Sequence, residues 1–318
     1  MPGQLIVSLD FELFWGMLDC STLEEYGDNV LGGRAAIPRL LELFRKYDIH
    51  ATWATVGFLF GENKQELEGY FPEASLRPGY ADSKLDPYGW FDTIGEKEQD
   101  APCFYAPSLI RQIAATPGQE IGSHTFCHYY CREKGQTLAQ FEADMRAARA
   151  IGKAKGFDVT SVVLPRNQCE PEYTEILQKC GFTAYRDEEN DWIHEKIKYF
   201  PLLRLLRLID VYLPLTGQGG YLPKQEGGIW NLTGSRAFKA VSHSRYPLEG
   251  LKVRRIKKQL LHAAKNDLTF HLWWHPHNMG KDTDTFLHQL EDVLQYYVTL
   301  REKYGMESRN MGEAAREG

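Results

Sequence analysis

Leu5-Ile-Val-Ser-Leu-Asp-Phe-Glu12 is a short apolar run with β-branched members that ends in acids. That is the pattern of a strand buried on both faces, with polar groups at its C-terminal end. After Gly32-Gly33, residues 35–47 (AAIPRLLELFRKY) carry apolar side chains at helical spacing, so the chain opens as strand, loop, helix. The alternation continues, with strands predicted over residues 50–56, 120–123, 160–164, 182–185 and 268–274. Helices are predicted over 107–115, 138–155, 172–180, 251–265 and 285–304. Repeated units of this kind imply an α/β fold in which a parallel sheet is covered by helices. Residues 60–106 and 186–246 break the rhythm and read as insertions at one rim. Because the alternation resumes after each, residues 1–318 read as one barrel-like domain. An open doubly wound sheet is the alternative, but no Gly-x-Gly-x-x-Gly follows the first strand and no Walker-type loop occurs.

The chain has 318 residues, 37 of them Lys or Arg and 43 Asp or Glu, for a net charge of −6. Such a balance offers no global attraction to a polyanion and argues against nucleic acid as the partner. With 43% hydrophobic and 25% charged residues, a sizeable buried core is expected. The opening Met-Pro-Gly-Gln lacks a basic n-region and an apolar h-region, and the six cysteines are scattered. Together these predict reduced thiols and a cytoplasmic protein.

In parallel α/β folds chemistry collects at the C-terminal ends of strands. Here those ends read Asp10-Phe11-Glu12, His124-Thr-Phe-Cys-His128, Pro165-Arg166-Asn167-Gln168, Arg186-Asp187-Glu188 and Trp274-His275-Pro276-His277. Strand alternation puts Asp10 and Glu12 on one side and Phe11 on the other. His124 and His128 are four apart, which on a helical turn stacks both imidazoles within reach of one ion. One carboxylate completes a two-His, one-acid set that leaves coordination positions open, as a hydrolase needs. Cys127 with Cys131 in a closed structural site is the competing arrangement, although adjacent side chains do not easily face one ion.

These motifs resemble the polysaccharide deacetylase family, the NodB-homology domain of amino-sugar N-deacetylases. The resemblance implies a distorted (β/α) barrel of about seven strands. It implies Asp10 as general base, a divalent metal, zinc by preference, on Glu12, His124 and His128, and His275 as the general acid, with His277 as the competing choice. The family's third motif, Arg-x-Pro-Tyr, is altered: aligning Pro165 puts Val163 where the arginine belongs, and Arg166 and Asn167 are the substitutes for orienting and oxyanion-binding groups. The fourth motif is only echoed, by Glu188-Glu-Asn-Asp191-Trp192.

The activity so implied is removal of an acetyl or formyl group from an amino sugar of a surface polysaccharide or of its polyprenyl-linked precursor. The alternative is a non-catalytic relative that binds saccharide through a retained metal site. Trp15, Tyr88, Trp90, Trp230 and Trp273 are candidate stacking rings, with Trp273 and His277 taken as substrate contacts. Residues 199–215 form an apolar stretch with Arg204, Arg207 and Asp210 at three-residue intervals. A helix of that pattern can lie at a bilayer surface, and a buried lid or a dimer contact is the competing explanation.

Overall fold

The computed structural model describes residues 2–188, 192–197 and 199–317. Its strands are β1 (Gln4–Phe11), β2 (Ala51–Thr55), β3 (Gln119–Ser123), β4 (Ser161–Val163), β5 (Ala184–Arg186), β6 (Lys224–Glu226), β7 (Ile229–Asn231), β8 (Arg236–Ala237), β9 (Thr269–Trp274) and β10 (Glu307–Arg309). The helices are α1 (Leu23–Tyr47), α2 (Lys64–Glu68), α3 (Pro87–Phe91), α4 (Pro107–Ala114), α5 (Leu138–Ala154), α6 (Pro171–Lys179), α7 (Trp192–Lys196), α8 (Phe200–Tyr212), α9 (Glu249–Lys265), α10 (Thr283–Tyr304) and α11 (Met311–Glu317). The sheet runs β6-β7-β5-β4-β3-β2-β1-β9-β8, with β10 beside β1, and every pairing is parallel except β6 with β7. It curls into an irregular barrel. Between its two ends the chain from Leu232 to Ser235 crosses, donating from Leu232 to Tyr185 on one side and from Ser235 to His271 on the other. The stretch 186–246 is therefore not purely an insertion, because β7 and β8 within it are sheet members. At three and two residues they are too short to show a period in the sequence.

α1 begins twelve residues before the predicted start. Thr22 and Glu25 form a reciprocal capping box, and the helix runs through Gly32 and Gly33. The two glycines are there for closeness rather than for a turn. A Cβ at Gly33 would stand 2.6 Å from the Pro276 carbonyl oxygen, and one at Gly32 would strike the backbone of Gly280. Glycine thus lets α1 lie against the segment that follows β9, which carries His275 and His277.

All eight residues of β1 are buried, as a strand covered on both sides requires. The barrel interior is layered. At its N-terminal mouth Ile6, Ala54, Val163, Ala184 and Leu232 form an apolar plug with Met311 and Ala314 of α11. Above the plug the interior turns polar, with Ser8, Asp10, Arg186 and His271 all buried. The C-terminal ends of the strands lie above that layer.

Candidate metal centre and active site

Strand register brings the polar strand ends together. β1 sets Leu9 beside Trp274 of β9 and Phe11 beside Thr55 of β2, which in turn faces Ser123 of β3. Glu12 and His124 therefore leave β1 and β3 at one level, and His275 leaves β9 level with Asp10. Phe11 turns the other way, edge-on to Trp53 in the core.

Glu12 Oε2 lies 3.2 Å from Nε2 of His124 and 3.0 Å from Nε2 of His128. Glu12, His124 and His128 are the one such cluster of potential metal ligands among the described residues, and all three are buried. The two histidines do not share a helical turn as expected. They sit on a loop in which Thr125 and His128 adopt left-handed backbone angles (φ 64° and 62°). Side chains hold that loop. Ser123 Oγ accepts from the Thr125 amide, Thr125 Oγ1 from the Tyr129 amide, and the buried Asp144 of α5 from the amides of Phe126 (2.7 Å) and Cys127 (3.1 Å). The Cys127 thiol faces Asp144 and Tyr88, and burial with Asp144 pushes it well up, so it stays a protonated thiol outside the cluster. Beneath Glu12 the backbone must be bare, since a Cβ on Gly16 would stand 2.1 Å from the carboxylate carbon.

Burial and close contact shift two members of the cluster, His128 and Glu12. Burial lowers the pKa of His128 despite the neighbouring Glu12 carboxylate. Burial would raise the carboxyl of Glu12, but His275 together with hydrogen bonds from His124 and His128 holds it well below the usual carboxylate range. The Glu12 carboxylate and the Nε2 atoms of both histidines thus stand at about hydrogen-bond distance from one another, a spacing that a divalent cation between them would suit. Nδ1 of both histidines is buried without a hydrogen-bond partner among the described residues.

Asp10 is gripped by Arg186. Nη1 donates to Oδ1 at 2.8 Å and Nη2 to Oδ2 at 2.7 Å, with the arginine fully buried. Burial pushes the Asp10 carboxyl up, but Arg186, then His275 and His124, outweigh it and hold the pKa below its ordinary value. Arg186 is itself held on three sides. Asn167 Oδ1 accepts from Nε and Nη2, Ser8 Oγ accepts from Nη1, and the guanidinium lies 4.3 Å from the ring centre of Trp273. His271 Nε2 lies 2.8 Å from Ser8 Oγ, and its Nδ1 is 2.9 Å from the Leu232 carbonyl oxygen. Burial and Arg186 bring its pKa down to about 3, so it is neutral.

The geometry relocates two expected roles. Arg166 points outward, pairing with Asp19 (2.5 Å) and Glu133 (2.6 Å) at the rim, and does not reach Asp10. Asn167 has its backbone N–H donated to the Leu164 carbonyl, closing a turn, so that amide is not free for an oxyanion. The register of β4 and β5 explains the altered motif: Val163, where the arginine was expected, pairs directly with Arg186. The cation enters from the adjacent strand.

His275 Nε2 lies 3.5 Å from Asp10 Oδ2 and 3.7 Å from Glu12 Oε1, at the open side of the cluster. His277 stacks on it at 5.0 Å between ring centres and lies 3.8 Å from Glu12, but it is buried. Burial, with His275 adding, lowers its pKa to about 4. Glu12, His275, His277 and Trp273 open into a cleft of about 1020 Å³ whose outer wall is α8. Of the five candidate stacking rings only Trp273 lines that cleft; Trp15 and Tyr88 belong to the core. Glu189 to Asp191 of the fourth-motif echo lie outside the described residues, and the indole of Trp192 donates to the Leu215 carbonyl.

The family model for polysaccharide deacetylases matches residues 26–185, half of the chain, and the chain belongs to that family. No curated protein matches it in sequence. Among solved structures it is similar to a Mycobacterium smegmatis protein assigned to the polysaccharide deacetylases (12% identity, TM-score 0.60, covering 100% of this chain and 91% of that one). It is also similar to a probable polysaccharide deacetylase from Pseudomonas aeruginosa PAO1 (13%, TM-score 0.59, 99% and 90%). A 4-alpha-glucanotransferase from Thermococcus litoralis shares the fold over a shorter part of its length (11%, TM-score 0.51, 98% and 39%).

Proposed function

We propose that this chain is a metal-dependent N-deacylase of amino sugars, acting as one catalytic domain over residues 1–318. The observation that supports this best is the convergence of Glu12, His124 and His128 beside Asp10 and His275 at one end of the barrel. Glu12, His124 and His128 would hold a divalent cation, with zinc suited to two imidazoles and a carboxylate. When bound it supplies Lewis acidity, lowering the pKa of water and polarising an amide carbonyl.

Asp10 accepts the proton of the attacking water. The Arg186 pair keeps that carboxylate ionised and fixed in direction, as general-base work requires. His275 stands on the open side and donates a proton to the amide nitrogen as the C–N bond breaks, so that a carboxylic acid and a free amine result. His277 and Asn167 hold His275 and Arg186 in place, the first by stacking and the second by accepting from the guanidinium. Trp273 and the cleft around it would receive the sugar.

The acceptor in this reading is a surface polysaccharide or its polyprenyl-linked precursor. No helix among the described residues is long and apolar enough to cross a membrane. The segment 199–215 would instead touch a bilayer from one side, since Phe200 and Leu202 of α8 are exposed and stand outside the cleft lining. The test is amine release from an N-acetylated amino-sugar oligosaccharide with and without chelator. Chelator-sensitive release that disappears in Asp10→Asn supports the assignment, and saccharide binding without any amine formed would replace it with the non-catalytic alternative.

A further inference from the structure

The cleft above the catalytic groups is basic in a protein whose net charge is −6. Among the described residues its lining includes Arg204, Arg207, Arg236, Lys239 and Arg245, with Glu12 and Asp210 as the acids. Asp210 contributes no free charge. Its Oδ1 accepts from Arg255 and from the Leu215 and Thr216 amides, and its Oδ2 accepts from Arg236 and the Thr216 hydroxyl. Arg204 and Arg207, three apart on α8, share one side of the helix. Neither they nor Arg245 forms an ion pair among the described residues. Arg245 donates only Nε, to the Tyr212 hydroxyl at 3.2 Å, which leaves its terminal nitrogens available. Two arginines outside the cleft lining differ. Arg166 sits on Asp19 and Glu133, and Arg132 on Glu170.

Guanidiniums without an ion pair among the described residues, lining the cleft into which Glu12 and His275 open, suit a ligand that carries concentrated negative charge. Guanidinium forks match the oxygens of phosphate esters, and a cleft with low-dielectric walls focuses their field. We infer that Arg204, Arg207 and Arg245 form a subsite for a diphosphate ester, so that the acyl group is removed from an amino sugar still attached to diphosphate. The inference rests on the N-deacylation reading only for where the sugar lies. The diphosphate chemistry is shared by nucleoside and polyprenyl esters.

The test uses the metal-loaded full chain and the Arg204→Gln/Arg207→Gln variant, whose changes fall on exposed side chains of α8. Inorganic diphosphate is titrated calorimetrically at low and high salt. The nucleoside diphosphate ester of an N-acetylhexosamine, its short-chain polyprenyl counterpart and a neutral N-acetylated disaccharide are then assayed for amine release. The subsite predicts diphosphate binding that weakens with salt and is at least tenfold weaker in the variant. It also predicts a KM for the esters at least tenfold higher in the variant, with kcat and the neutral disaccharide unaffected. Faster turnover of one ester than the other identifies the source of the diphosphate. Equal diphosphate binding by wild type and variant, or equal effects on ester and neutral substrate, overturns the inference. If wild type deacylates none of the saccharides, the N-deacylation reading fails, while the diphosphate titration still decides the subsite.

Discussion

Arg186→Met removes the cation that faces Asp10 and leaves the carboxylate buried beside a thioether. Both partners are almost fully enclosed, with side-chain exposures of 0% and 5%, and they make two short contacts. Breaking a buried pair by removing one partner costs about 3–5 kcal/mol, because the remaining charge keeps its desolvation penalty without compensation. Arg166→Met is the control. It also loses two ion pairs, but its side chain is 40% exposed, and such pairs contribute about 0–1 kcal/mol. Urea unfolding of chelator-treated proteins at pH 7 measures both. Adding Asp10→Asn to Arg186→Met removes the stranded charge, so the double variant is more stable than the single one by about 1–3 kcal/mol. The pH dependence has a definite sign. A carboxyl held below its unfolded value adds stability above that value and loses it as pH falls through the folded pKa, so the deficit of Arg186→Met shrinks toward acid. An Arg186→Met cost under about 1 kcal/mol, no larger than that of Arg166→Met, would refute the reasoning.

Three further outcomes are expected. Asp10→Asn retains its metal but loses about 10²–10⁴ in kcat, measured by amine release, as loss of a general base should; unchanged turnover removes Asp10 from that role. Gly16→Ala forces the Glu12 carboxylate aside and weakens metal affinity about 10–100-fold in a competitive chelator titration, whereas an unchanged affinity shows that Glu12 does not need that space. Burial raises the Asp144 carboxyl from 3.8 to about 6, so the folded state binds its proton more tightly and loses stability as pH rises from about 4 to about 6. Asp144→Asn lacks this loss, and relative to wild type it gains about 2–3 kcal/mol in urea stability between pH 4 and pH 7, unless Asp144 does not titrate there.

Much of the site was legible because strand ends are marked by composition. β1 is largely apolar until Asp10, and the ends of β3, β4, β5 and β9 likewise carry ionisable or amide groups in a row. What escaped was whatever depends on pairing across the sheet. Arg186 was visible as a polar strand end, but only the β4–β5 register shows that it stands beside Val163 and points at Asp10. Asp144 had a local sign, since it shares the buried side of α5 with Phe141, Met145 and Ala148 at helical spacing, where an acid needs a partner. Gly32 and Gly33 misled because a glycine pair reads as a break, whereas here it serves close packing inside a capped helix. His271 was hidden within β9, where its neighbours are aromatic and apolar and its partner Ser8 belongs to another strand.

The most direct test is metal content per chain, by elemental analysis, alongside amine release, for wild type and for Glu12→Gln, His124→Ala and His128→Ala. About one divalent ion per chain is expected in wild type, with ion and turnover lost together in each variant. A folded variant that keeps both the full ion content and wild-type turnover would contradict the assignment of these three side chains.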